Sequence, residues 1–162
     1  MPTLPNIIIV DDHLIFREGL VSIITVENIA TVVGEASDGI ELLGLLTTIK
    51  PDVILMDIDM PRMNGIHATK KVLKLYPDLK IIAFTMFGED EYYYKMIELG
   101  VKGFVLKSGN INQLEEAILE VMIGKTYFSR QFQDKIAGDD QGKAEAAEKA
   151  RETDQTINPT LN

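Results

Sequence analysis

The sequence predicts a doubly wound α/β fold, in which helices cover both faces of a parallel sheet. Three observations support this class: short apolar runs alternate with amphipathic stretches, the runs are only four to six residues long, and most are apolar at nearly every position. Strands buried on both faces have this uniform apolar character, whereas strands with one solvated face alternate between apolar and polar residues. Regular alternation of strand and helix along a chain is also typical of parallel sheets.

Five strands and five helices are predicted in strict alternation. The strands cover residues 6–10, 30–35, 53–56, 79–84 and 103–106. The helices cover residues 13–25, 38–48, 65–75, 89–99 and 110–123. Asp38 and Asn110 are suited to cap the second and fifth helices, because a side-chain oxygen at this position accepts a hydrogen bond from a free backbone N–H. Gly100 marks the end of the fourth helix.

Composition and charge exclude several classes of function. The chain has 162 residues and no cysteine, so it has neither disulfides nor thiolate metal sites. No apolar segment approaches the roughly 20 residues that cross a bilayer, and a cytoplasmic protein without membrane contact is expected. The net charge is −9, of which residues 1–130 carry −6 and residues 131–162 carry −3. Because neither part is basic, the chain alone is a poor candidate for binding nucleic acid.

The character of the chain changes after Phe132. Residues 138–156 are rich in Ala, Glu and Lys and contain no large apolar residue. Such a segment favours helix, but nothing in it would hold a helix against a core. We therefore expect a folded domain over residues 1–130 and a linker or tail over residues 131–162, partly disordered or helical.

Chemically reactive side chains stand at the ends of four predicted strands. Asp11 and Asp12 follow the first strand, Asp57 follows the third, Thr85 ends the fourth and Lys107 follows the fifth. In a doubly wound sheet these ends meet at one edge, where the sites of this fold class form. Clustered carboxylates repel one another, and a hard divalent cation such as Mg²⁺ relieves that repulsion. A carboxylate can also attack a phosphoryl group, while a metal ion and an ammonium neutralise the charge on the phosphoryl oxygens.

Four segments, taken together, resemble the receiver domains of bacterial two-component response regulators, and within them the NarL/FixJ type. The segments are IIVDDH at 8–13, DIDMPRMNG at 57–65, IAFTM at 82–86 and GFVLKS at 103–108. The resemblance covers roughly residues 5–125, and the joint order and spacing of the segments make it specific. It implies a flavodoxin-like (βα)5 fold, with a five-stranded parallel sheet in the strand order 2-1-3-4-5.

The resemblance also implies a role for each charged residue at the strand ends. Asp57 would be the phosphoacceptor, and Lys107 would pair with the phosphoryl group. Mg²⁺, or Mn²⁺ in its place, would be bound by Asp12, Asp57 and the backbone carbonyl of Asp59. Asp11 would contribute to the metal site through a water molecule.

Two further residues are implied to act as a conformational switch. Thr85 would supply the hydroxyl that moves towards the phosphoryl group, and Phe104 stands at the position of the family's aromatic switch residue, which would turn inward. His13 follows the acidic pair, and we interpret it as a residue that begins the first helix at the rim of the site.

Partners follow from the same resemblance. The phosphoryl donor would be a sensor histidine kinase, and phosphorylation would favour a homodimer. A C-terminal helix-turn-helix DNA-binding domain, which this chain lacks, would follow residues 131–162 and control transcription; the alternative is a stand-alone receiver with a tail. The domain would be a phosphoacceptor in signalling and not an enzyme, beyond catalysing its own phosphotransfer and dephosphorylation.

Three other functions stay open at this point. A haloacid-dehalogenase-like phosphatase would use Asp57 and Asp59, but there the nucleophile strand comes first, whereas here an acidic pair precedes it. A flavin module on this fold needs a phosphate loop of small or hydroxyl residues after the first strand, where this chain has two acids. A pseudo-receiver would be an interaction module that is never phosphorylated, and the complete set of acidic, hydroxyl and lysine residues argues against it.

Overall fold

A computed structural model describes residues 3–86 and 90–128, which form one parallel sheet and the helices around it. The strands are β1 (Asn6–Val10), β2 (Thr31–Ala36), β3 (Val53–Met56), β4 (Lys80–Thr85), β5 (Gly103–Leu106) and β6 (Tyr127–Phe128). The helices are α1 (Leu14–Val26), α2 (Gly39–Leu45), α3 (Gly65–Leu75), α4 (Asp90–Leu99) and α5 (Ile111–Met122).

The strand order of the sheet is β2-β1-β3-β4-β5-β6, which confirms the predicted order of the first five strands. β1 pairs in parallel with both β2 and β3. The order of the strands across the sheet therefore reverses between β1 and β3, which is the topological switch point of the fold. The register pairs Val10 with Met56 and Thr85 with Leu106. The residues that follow β1, β3 and β5 therefore leave the sheet at the same edge.

The core explains why the strands are apolar throughout. Ile7 and Ile9 of β1 belong to a cluster with residues of α1 and α5, including Ile24 and Ile118. Ile8, which lies between them and points to the opposite face, is also fully buried. A strand that is covered on both faces has no position left for a solvated side chain, and the uniform apolar runs of the sequence reflect this arrangement.

The predicted helix caps are confirmed. Asp38 accepts a hydrogen bond of 2.9 Å from the backbone N–H of Glu41 at the start of α2, and Asn110 accepts one of 3.1 Å from Gln113 at the start of α5. Each cap satisfies one of the four N–H groups that a helix leaves free at its N-terminus. Gly100 follows α4 with a φ of 103°, a conformation that glycine adopts without the steric cost of a side chain.

The second helix is shorter than the sequence predicts. α2 ends at Leu45 rather than near residue 48. The backbone N–H groups of Thr47 and Thr48 donate to the carbonyls three residues earlier, at 3.3 and 3.1 Å, so the chain tightens instead of continuing the helix. The hydroxyl of Thr47 also binds the carbonyl of Gly44 at 2.7 Å, which offers the backbone a local alternative to the helical pattern.

A short sixth strand, β6, was not predicted from the sequence. It has two residues, too few to show a periodic pattern, and the backbone N–H of Tyr127 donates to the carbonyl of Lys102 at 2.9 Å. The predicted linker at residues 131–162 lies outside the described residues. Within the described parts of the chain, no helix is both long and apolar enough to cross a membrane.

Candidate functional site

The strand ends bring four of the predicted site residues into one group. Asp11 and Asp12 follow β1, Asp57 follows β3 and Lys107 follows β5. Carboxylate oxygens of Asp11, Asp12 and Asp57 lie within 4.8 Å of one another, together with a ring nitrogen of His13. The side chain of Lys107 contacts both Asp11 and Asp57. The parallel register thus places an acidic cluster and one ammonium at the predicted edge of the sheet.

Lys107 is the cation that compensates the buried acids. Its side chain is only 2% exposed, and its Nζ lies 3.2 Å from Oδ2 of Asp57 and makes an ion pair with Asp11. The same Nζ lies 4.5 Å from the centre of the Phe16 ring, a cation–π contact that suits a desolvated ammonium. One ammonium shared between two carboxylates leaves part of the negative charge uncompensated.

The electrostatics of Asp57 reflect this imbalance. The residue is 4% exposed, and its burial raises the pKa of the carboxyl above its ordinary value. The ammonium of Lys107 lowers the pKa of Asp57 and so opposes that rise, whereas the negative charge of the neighbouring Asp11 raises this pKa further. A hydrogen bond of 2.8 Å from the backbone N–H of Ile58 to Oδ1 also favours the ionised form.

The residues present fit a divalent cation. Oδ1 of Asp12 is buried and, among residues 3–86 and 90–128, has no hydrogen-bond partner. A buried carboxylate oxygen that makes no hydrogen bond is costly, and a bound cation would satisfy it. The donor set consists mainly of carboxylate oxygens, which suit Mg²⁺ and Mn²⁺.

His13 lies closer to the acids than its sequence interpretation suggested. It is the N-cap residue of α1, as expected, but its Nδ1 also lies 3.3 Å from one oxygen each of Asp11 and Asp12. Its backbone N–H donates to Asp11 at 2.8 Å, and its side chain is 68% exposed. The direct succession of two acids and a histidine was the only signal for this contact, since the turn after β1 brings the three side chains together.

The two predicted switch residues, Thr85 and Phe104, are both buried. Thr85 is 1% exposed, and its carbonyl accepts a hydrogen bond of 2.8 Å from the backbone N–H of Lys107. Phe104 is fully buried, and its ring lies edge-on to Tyr93 with the ring centres 5.1 Å apart. The ring therefore already lies inward in this structure, and the role of Phe104 as a switch residue stays a prediction.

The loop after β3 closes tightly around Asp57. The backbone N–H of Gly65 donates to the carbonyl of Ile58 at 2.8 Å. A Cβ atom on Gly65 would come within 3.0 Å of the carbonyl of Asp57 and of Cα of Ile58, so only glycine fits this approach. Asp59 lies within this loop and is exposed, and the metal-binding role of its backbone carbonyl stays a prediction.

Comparison with known proteins matches the part of the chain that contains these segments. A family model for the response regulator receiver domain matches residues 7–119. The chain is 37% identical over 122 residues to the transcriptional regulatory protein DegU of Brevibacillus brevis, covering 75% of this chain and 52% of that protein. It is 40% identical over 123 residues to the oxygen regulatory protein NreC of Staphylococcus aureus strain JH9, covering 75% and 57%. The chain thus spans about half the length of these curated relatives.

Solved structures show the same architecture. A two-component response regulator of the LuxR family from Aurantimonas sp. SI85-9A1 matches with a TM-score of 0.79 and 32% identity, over 85% of this chain and 98% of that one. The signal receiver domain of NarL from Mycobacterium tuberculosis matches with a TM-score of 0.71 and 31% identity, over 76% of this chain and all of that one.

Proposed function

We propose, since the chain belongs to the response regulator receiver domain family, that it accepts a phosphoryl group on Asp57 and thereby switches the output of a two-component system. The observation that carries the proposal is the arrangement at the end of β3. Asp57 is buried, its Oδ2 lies 3.2 Å from the ammonium of Lys107, and Asp12 beside it holds a buried carboxylate oxygen that makes no hydrogen bond with the described residues. A nucleophile, a charge-neutralising lysine and a set of metal ligands are thus supplied together.

The proposed transfer follows from the charges of the site. A carboxylate oxygen of Asp57 attacks the phosphorus of a phosphohistidine, the new O–P bond forms as the P–N bond breaks, and the released imidazole nitrogen takes a proton from solvent. The ammonium of Lys107 neutralises charge on the phosphoryl oxygens. A divalent cation, Mg²⁺ or Mn²⁺, held by Asp12, Asp57 and the carbonyl of Asp59, would supply further charge neutralisation and orientation. Asp11 would act on this cation through water while keeping Lys107 in place.

The proposed switch uses residues behind and beside the phosphorylation site. The hydroxyl of Thr85 would donate a hydrogen bond to a phosphoryl oxygen. Phe104 lies in β5, where it is paired with Ala83 of β4, and its ring packs against Tyr93 of α4. A displacement of β4 would therefore be passed through Phe104 to α4. Rearrangement of α4, β5 and α5 would then alter contacts with a partner or a second copy.

The proposed output is control of transcription. One relative is named a transcriptional regulatory protein, and solved structures of the similar RcsB include dimers bound to DNA. We infer a cytoplasmic receiver that takes its phosphoryl group from a sensor histidine kinase and acts through a DNA-binding domain beyond the residues compared. The receiver itself is a signalling domain.

Intact mass measurement after incubation with acetyl phosphate and Mg²⁺ tests the chemistry. The expected result is a gain of about 80 Da, one phosphoryl group, in the parent protein and none in Asp57→Asn. Asp59→Asn is the matched control, because only its backbone carbonyl is proposed to take part, and it should be labelled like the parent. Label that persists on Asp57→Asn, or a folded parent that no donor can label, would exclude Asp57 as the acceptor.

A further inference from the structure

The loop between β3 and α3 contains one residue in a sparsely populated backbone conformation. Arg62 has a φ of 60°, a region that glycine adopts easily and residues with a Cβ rarely do. The backbone N–H of Met63 donates to the carbonyl of Pro61 at 2.6 Å, so Arg62 is the centre of a three-residue γ-turn of the rare form with positive φ. Such a conformation persists only where surrounding contacts hold it.

The contacts that hold this turn come from the N-terminus of α2. The guanidinium of Arg62 binds Oδ2 of Asp38 through Nε at 2.5 Å and also through Nη2. The Asp38 side chain is 2% exposed, and its other oxygen caps α2 through Glu41. This carboxylate therefore cannot turn to another partner without giving up the helix cap as well.

Two backbone features reinforce the ion pair. The backbone N–H of Gly39 donates to the carbonyl of Met63 at 3.0 Å. A Cβ on Gly39 would lie 2.7 Å from the Met63 side chain and 2.8 Å from Cβ of Ala68, so the start of α2 sits directly against the turn and α3. The turn is thus held against the start of α2 and against α3.

The turn is connected to Asp57 over a short stretch of chain. Ile58 donates its N–H to Oδ1 of Asp57 and accepts a hydrogen bond from Gly65, which closes the loop that contains Asp59 and Arg62. A loop closed at both ends has few ways to absorb a change at its tip, so relaxation at Arg62 displaces the peptide groups on either side of it.

We propose that Asp38 and Arg62 form a brace that positions the loop of residues 58–65 for cation binding at Asp57. Both are positioning residues, since neither belongs to the proposed cation ligands or contributes to the phosphoryl-transfer group at Asp57. The inference rests on the proposed function, and it assigns a task to the ion pair between the β2–α2 and β3–α3 connections. Partners that orient metal ligands typically contribute about 10- to 100-fold to metal affinity.

Three substitutions distinguish the effect of the ion pair from the effects of the helix cap and of the turn conformation. Asp38→Asn keeps the helix cap, because asparagine caps as well as aspartate, but it removes the charge that holds Arg62. Arg62→Ala removes the guanidinium and keeps a Cβ at positive φ, so the unsupported turn relaxes. Arg62→Gly removes the guanidinium as well, but glycine adopts the turn without strain.

Mn²⁺ binding followed by electron paramagnetic resonance on the full chain reads the cation site without phosphorylation. We expect Mn²⁺ to bind about tenfold more weakly in Asp38→Asn and in Arg62→Ala. The double variant Asp38→Asn, Arg62→Ala should show no further loss of affinity, and Arg62→Gly a clearly smaller loss. Phosphorylation by acetyl phosphate should then need more Mg²⁺ for half-maximal rate but reach the parent's rate at saturation. A merely structural role would instead lower the saturated rate through loss of folded protein.

Two further variants make the outcomes distinguishable. Lys125→Ala breaks an exposed ion pair with Glu120 and should bind Mn²⁺ like the parent. Asp57→Asn should weaken Mn²⁺ binding through loss of a ligand. Parental affinity in Arg62→Ala, or equal losses in Arg62→Ala and Arg62→Gly, would overturn the brace while leaving the proposed function intact. Unchanged Mn²⁺ binding in Asp57→Asn would overturn the proposed function and the brace together.

Discussion

Replacing Gly65 by alanine tests how tightly the loop after β3 encloses Asp57. The added Cβ would come closer than 3.0 Å to the carbonyl oxygen and carbon of Asp57 and to Cα of Ile58, a separation that Cβ atoms essentially never show. All three are backbone atoms of the two residues that directly follow β3. Neither a rotamer change nor a small side-chain shift can relieve the clash, so the loop and Asp57 must move apart.

Two effects set the size of the expected loss. Overpacking in a closely packed region costs about 1–3 kcal/mol, and the upper end applies here because backbone must move. Displacement also weakens the hydrogen bond from Gly65 to Ile58, worth about 1 kcal/mol, whereas alanine recovers up to about 1 kcal/mol by restricting the unfolded chain. The net expectation is a loss of about 2–3 kcal/mol in the free energy of unfolding, measured by urea denaturation.

The same shift should slow phosphorylation of the remaining folded protein. A displacement of about 1 Å at a reacting group can cost about 100-fold in rate, which intact mass measured over time after addition of acetyl phosphate would resolve. Gly19→Ala is the matched control: this glycine is exposed in the middle of α1, and within the described part of the chain nothing outside its own helix backbone and chain neighbours lies within 4 Å of an added Cβ. That variant should gain about 0.5–1 kcal/mol and react normally. Gly65→Ala with parental stability and rate would refute the enclosure of Asp57 by this loop.

Three other expectations concern the charges of the site and of the brace. Lys107→Ala leaves Asp11 and Asp57 buried without their cation and should lower the free energy of unfolding by about 3–5 kcal/mol in metal-free buffer; equal urea midpoints for the two proteins would contradict this. Added Mg²⁺ at about 100 times its dissociation constant should stabilise the parent by about 2.7 kcal/mol, and thermal unfolding should show a much smaller gain in Asp57→Asn. The third concerns pH: burial alone would raise the pKa of Asp38, but its hydrogen bond from Glu41 and the guanidinium of Arg62 bring that pKa below the ordinary 3.8. Because the folded protein then binds fewer protons than the unfolded chain, the contribution of Asp38 to the free energy of unfolding is complete above about pH 3.8 and is lost as the pH falls through the lowered pKa. The stability difference between the parent and Asp38→Asn should therefore shrink in acid. A difference that stays constant down to pH 2 would exclude the ion pair as its source.

The sequence predicts the sheet and the acidic cluster because both follow from strand burial. Apolar runs such as residues 53–56 have no solvated face, which predicts cover on both sides of the sheet, and the alternation with helices then favours a parallel sheet. Once the strands are parallel, the residues after them share one edge, so the proximity of Asp11, Asp57 and Lys107 follows from their positions in the chain. No knowledge of side-chain packing is needed for this step.

Features that depend on contacts between loops do not follow from periodicity. Arg62 and Asp38 are 24 residues apart in two separate connections, and neither a propensity nor a spacing indicates their ion pair. The positive φ of Arg62 is equally hidden, since sequence rules expect glycine or asparagine there. The inward position of Phe104 depends on Tyr93 of α4, a contact between elements whose packing only the folded chain defines.

The formal charges of the cluster suggest why phosphorylation of such a site can act as a switch. Three carboxylates (Asp11, Asp12 and Asp57) and the ammonium of Lys107 carry a formal charge of −2 in a largely buried group, and a divalent cation brings it to zero. The proposed phosphorylation of Asp57 would exchange one carboxylate charge for a phosphoryl group carrying about −1.5 to −2, so the balance would be disturbed again by up to about one charge. Neither Lys107 nor a bound cation would supply more positive charge, because both would already be engaged with the carboxylates. The remaining response is to bring hydrogen-bond donors to the new oxygens, and a buried hydroxyl such as that of Thr85 can do so only by moving the end of its strand.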